Sequence, residues 1–90
     1  MNSPTIKPLS YCEFFANAIR DYRKRHQGDY PERIKLHPEQ FRDFWTEIGS
    51  ENFVQLGEYG GIKFHNVAFI EDRKVKYPEM VGHKGDIEYI

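Results

Sequence analysis

The spacing of apolar residues changes midway along this chain, and that change limits the fold more than any other feature. From Tyr11 to Ile48 rings and aliphatics recur mainly every three or four residues, the period of a helix. From Phe53 onward they alternate or run together, as they do in strands. A chain patterned this way predicts two amphipathic helices packed on a small, mainly antiparallel sheet, an α+β fold.

The first helix has the clearest limits. Ser10 and Glu13 have the spacing of a capping box. Tyr11, Phe14, Phe15, Ala18, Ile19 and Tyr22 then fall on one helical face. Arg23, Lys24, Arg25 and His26 crowd the end, where the helix dipole favours cations. With Gly28 as the C′ residue and Pro31 as a stop, the helix is predicted over 11–27. Glu32 to Leu36 alternates and predicts a short strand. A second helix is expected over 38–48: His37 caps it, Pro38 suits its first position, and Gly49 closes it. Phe41, Phe44, Trp45 and Ile48 form its apolar face, with Trp45, the largest ring, as its expected anchor.

In the second half, 53–56 is a possible strand, and Gly57-Glu58-Tyr59-Gly60-Gly61 reads as a hairpin turn. Residues 62–65 and 67–70 are strand-like, but their parity conflicts. Ile62, Phe64, Ala68 and Ile70 share one face of a straight strand, while Val67 and Phe69 point the other way. A bulge or tight turn near Asn66, or burial on both faces, resolves this. Residues 71–76 look like a solvated turn, and Pro78, Gly82 and Gly85 punctuate a loop before a terminal strand over 86–90. The expected order is α-β-α-β-β-β with a late terminal strand. Residues 1–9 form a flexible lead-in and 10–90 a single domain. The expected core is Phe14, Phe15, Ala18, Ile19, Ile34, Leu36, Phe41, Phe44, Trp45, Ile48, Ile62, Phe64 and Ile70.

Ninety residues exclude a repeat array or a barrel enzyme. Aromatics at 16% argue against disorder, since each large ring buries ~150–250 Å². A formal net charge of -1 argues against strong bulk attraction to nucleic acid or an anionic membrane. The single cysteine, Cys12, allows no internal disulfide, and nothing resembles a signal peptide or a membrane span, so a cytoplasmic setting is expected.

Catalytic and metal chemistry find little footing. His26, His37, His65 and His83 lie at no known ligand spacing on a rigid element, and no cofactor is expected. Cys12 sits in a first helical turn, where the dipole favours a thiolate, yet no base accompanies it, so a small buried hydrophobe is the better reading. The glycine run lacks the Lys-Ser/Thr of a phosphate loop, and Glu71-Asp72 fall in a charged turn. The strongest asymmetry is electrostatic. From Arg20 to Lys35, six basic residues (Arg20, Arg23, Lys24, Arg25, Arg33, Lys35) face three acids, whereas residues 46–90 carry five basic against eight acidic. A solvated helix end explains this most simply. A nucleic-acid contact through those six residues is the alternative.

The segment from Arg33-Ile34-Lys35-Leu36-His37-Pro38 through the second helix to Gly60-Gly61-Ile62-Lys63-Phe64-His65-Asn66-Val67-Ala68-Phe69-Ile70-Glu71-Asp72 resembles small bacteriophage and prophage proteins. A strand ending in His-Pro, an amphipathic helix and a G-I-x-F-x-x-V strand pair recur in their capsid-related and accessory proteins. The resemblance implies a phage or prophage origin and carries over no functional residue. Together these readings predict a non-enzymatic interaction protein that binds another protein or forms a homodimer. Tyr22, Arg23, Lys24, Arg25, Tyr59 and Tyr89 are its candidate contacts, because some aromatics must remain at the surface and the terminal strand has no protective Pro or Lys.

Overall fold

A computed structural model describes residues 10–49, 53–56 and 59–90, with side chains for 10–49 and 61–90. The expected lead-in at 1–9 lies outside the described residues, as do positions 57–58 of the hairpin turn. The element order is α1 (Tyr11–Arg25), β1 (Arg33–Leu36), α2 (Pro38–Ile48), β2 (Phe53–Leu56), β3 (Tyr59–Phe64), β4 (Val67–Glu71), β5 (Glu79–Val81) and β6 (Ile87–Tyr89). The strands form one sheet in the order β2-β3-β4-β1-β5-β6. Neighbours β1 and β4 run parallel, and the other neighbouring pairs run antiparallel. This is the expected α+β architecture with one more strand, β5, than the sequence suggested.

Helix α1 begins where Ser10 accepts a hydrogen bond from the Glu13 N–H at 3.2 Å. The reciprocal half of this cap comes from α2. The Glu47 carboxylate accepts from the Tyr11 N–H at 2.8 Å, the Cys12 N–H at 2.9 Å and the Ser10 hydroxyl at 3.0 Å. An anion is thereby fixed at the positive end of α1 by a residue of the neighbouring helix. The helix ends two residues earlier than the periodicity predicts. Left-handed backbone begins one residue early, at Gln27 with φ 54°, and continues at Gly28 with φ 89°, whose N–H donates to the Arg23 carbonyl at 2.7 Å. Helix α2 has the predicted limits. His37 Nδ1 accepts from the Glu39 N–H while Gln40 Oε1 accepts from the His37 N–H, a capping box built on histidine.

The bond from the Cys12 N–H, helped by the Cys12 thiol, the Tyr11 N–H and the Ser10 hydroxyl, outweighs burial and holds the Glu47 carboxyl down to about 2. A carboxyl lowered on folding stabilises the fold above its unfolded value of 4.5 and loses that effect as pH falls toward about 2. Glu47→Ala is therefore expected to cost about 1 kcal/mol at neutral pH, the usual size of a lost cap. In urea titrations at several pH values, the gap between variant and wild type should close on acidification. A gap that persists at pH 2 would show that Glu47 acts through packing instead.

The parity conflict of the second half resolves at a two-residue turn. His65 at φ 51° and Asn66 at φ 66° both take left-handed backbone, as a tight hairpin requires. The turn reverses the chain so that Phe64 faces Val67 and Ile62 faces Phe69. Val67 and Phe69, each 0% exposed, thus join the face of Ile62, and Ile70 leaves the core. Gly60 and Gly61 belong to strand β3, not to the turn before it.

The registers stack Ile62, Phe69, Ile34, Met80 and Glu88 in one row beneath the helices, and Lys63, Ala68, Arg33, Val81 and Ile87 in a row on the opposite face. Phe15 of α1 and Phe44 of α2 meet at 4.9 Å between ring centroids, and both rest on Phe69. Phe15, Ile19, Ile34, Leu36, Phe44 and Ile62 are buried as expected. Tyr11, Tyr22, Val67, Phe69, Val75, Met80 and Val81 are buried as well. Phe14, Ala18, Phe41, Trp45, Ile48, Phe64 and Ile70 are half-buried, so Phe44, not Trp45, anchors α2. The loop at 71–76 is not wholly solvated, because Val75 turns inward while Asp72 accepts from the Lys74 N–H.

Candidate interaction surface

Strand β6 is an edge of the sheet, and its side chains divide by parity. Glu88 faces the helix layer and closes the inner row. It pairs with Arg25 and, through its other oxygen, with His26 Nε2 at 2.7 Å. Arg25 foremost, then His26, holds the Glu88 carboxyl below its usual range against the opposing effect of burial. His26 is set by Tyr22, whose ring stacks on it at 3.9 Å. Ile87 and Tyr89 point to the other face and stay 50% and 66% exposed. With Tyr77 at 39%, they are the exposed large hydrophobics among the described residues. Tyr77 and Tyr89 share a shallow groove with Lys74, Lys76 and Glu79. Apolar groups gathered at a sheet edge, with backbone groups left unpaired, are suited to receive another strand.

The predicted contact residues separate. Tyr89 is on this edge and Arg25 borders it. Tyr22 is corrected: at 3% exposure it is a core residue that supports His26 and is closed to a partner. The Tyr59 side chain lies outside the described residues. Arg23 stacks over the Tyr30 ring at 4.2 Å and donates from Nε to the Gly28 carbonyl at 2.9 Å. The six residues of the nucleic-acid alternative do not form one patch. Arg20, Arg23 and Lys24 line a groove with Tyr30 and His65 beside α1. Arg33 and Lys35 emerge on the far face of the sheet, where they meet Glu32 at 3.1 Å and Asp72 at 3.7 Å, and Arg25 is held by Glu88.

Ile87, Glu88 and His26 were not among the predicted contacts. The alternation Ile87-Glu88-Tyr89 was the available signal for the first two. The meeting of His26 with Glu88 depends on long-range packing that spacing does not reveal.

Cys12 is not an activated thiol. Burial first, and then its hydrogen bond to Glu47, pushes its thiol up to about 11, so it is not a thiolate at neutral pH. Among the described residues no group of three His, Cys, Asp or Glu side chains could hold a metal, and no helix is long and apolar enough to cross a membrane. No protein-family model, curated protein or solved structure matches the chain.

Proposed function

We propose that this chain is a non-enzymatic interaction protein that adds a strand from another protein, or from its own copy, to β6. The observation that carries this reading is the exposure of Ile87 and Tyr89 on an edge strand. Water-facing apolar side chains there gain by being covered, at roughly 25 cal/mol per Å². The expected behaviour is association that Ile87→Lys abolishes while the circular dichroism spectrum stays that of the folded protein. Sedimentation tests the homodimer, and selection from a displayed library of extended peptides tests a foreign strand. A monomer that selects no peptide through Ile87 or Tyr89 would overturn the reading. A cytoplasmic setting, and the phage origin implied over residues 33–72, belong to the same proposal.

A second reading rests on the groove of Arg20, Arg23, Lys24, His65 and Tyr30, where cations surround an aromatic ring. Single-stranded nucleic acid suits such a surface. Binding would then weaken steeply with salt and vanish in an Arg23→Glu, Lys24→Glu double variant. No gel shift at low salt removes this reading.

A further inference from the structure

We propose that the strand received by β6 is the β6 of a second copy, paired antiparallel about a two-fold axis at Glu88. This rests on the reading of β6 as a docking edge and assigns its occupant. The first argument is the direction of the backbone groups. The Gly82 N–H donates to the Asp86 carbonyl at 2.8 Å, and the Ile90 N–H to the Pro78 carbonyl at 3.2 Å. Met80 and Glu88 face each other midway between these bonds, so Glu88 also directs its N–H and C=O toward β5. The backbone groups of Ile87 and Tyr89 consequently point to the edge that no other described strand covers. Two such edges match when Ile87 of each copy meets Tyr89 of the other, giving four hydrogen bonds.

The same register joins the side chains. Ile87 of one copy lies beside Tyr89 of the other on the outer face, which covers the two most exposed apolar groups of the edge. On the inner face the two Glu88 residues meet at the axis. Each brings its own Arg25, so two carboxylates and two guanidinium groups gather with cancelling charge. The Arg25 side chain is still 52% exposed and has donors left for the second carboxylate. Glu88 thus matches a second copy where an unpaired acid would repel one.

Cross-linking reads this register directly. With Cys12→Ser as background, Glu88→Cys places two thiols on opposed residues about 4.5 Å apart at Cα, within disulfide reach. Two copies of Ile87→Cys, or of Tyr89→Cys, sit on a diagonal of about 7–8 Å and should not cross-link. With copper phenanthroline as oxidant, the expected result is a covalent dimer for Glu88→Cys alone. The wild-type chain should sediment at twice its 10.7 kDa mass. Hydrogen exchange on the unmodified chain is an independent measure. The Ile87 and Tyr89 amides should slow at least about tenfold on concentration, while Glu88, already bonded to β5, should not change. Cross-linking at 87 or 89 in preference to 88 would overturn the register. A monomer at every concentration would overturn the second copy, and peptide selection that depends on Ile87 would then leave the docking edge itself standing.

Discussion

Phe44→Ala is expected to cost about 3–5 kcal/mol, a large share of the ~5–15 kcal/mol that holds a domain together. Phe44 is 0% exposed and touches the rings of Tyr11, Phe15, Phe64 and Phe69, so its removal opens a cavity where α1, α2 and the sheet meet. Aromatic pairs add ~0.5–1.5 kcal/mol beyond the area they bury, and Phe44 takes part in several. Trp45, one residue on, is half-buried and meets Phe41 at 6.1 Å, so Trp45→Ala should cost distinctly less. Urea unfolding of both variants makes the comparison. Equal losses would mean that the core of α2 is centred elsewhere.

Met80→Lys is expected to abolish folding. Met80 is 2% exposed on β5, between Ile34 and Glu88 in the inner row. A lysine there would take its charge out of water beneath the helices, next to a Glu88 carboxylate already held by Arg25 and His26, at a cost of several kcal/mol. Tyr89→Lys, on the neighbouring strand but on the outer face, should leave the protomer folded. Circular dichroism of the two variants tests both β5 and its register. A folded Met80→Lys protein would show that β5 is not an interior strand.

The elements easiest to read were those with local signals. Residues 38–48 carry a cap, a Pro at the first position, a regular stripe and a closing glycine, and α2 has those limits. Strand β5 carried none of this. It has three residues, one of them Glu79, between Pro78 and Gly82, and only its place between β1 and β6 makes it a strand. The core was read incompletely for a similar reason. Val67 and Phe69 could be assigned to a face only once the chain was known to reverse at His65-Asn66, a left-handed pair without the glycine that usually marks such a turn. At the edge, Tyr89 was legible because a terminal strand that alternates is a local pattern. Tyr22 was misread as a contact because some aromatics had to remain at the surface, although its helical position already placed it on the apolar stripe. The six basic residues look like one cluster along the chain, but β1 carries Arg33 and Lys35 to the side of the sheet opposite α1.

The central place of β1 bears on the route by which the protein folds. Strands β2, β3 and β4 follow one another as a meander that can form from neighbouring residues, whereas Arg33 must find both Ala68 and Val81. Closing such long loops is entropically slow, so docking of β1 should come late and set the rate. Substitutions that weaken Ile34 should then slow folding as well as accelerate unfolding, the mark of contacts that form at the barrier. During synthesis the first half of the chain would wait, its short strand without neighbours, until β4 and then β5 emerged to pair on either side of it.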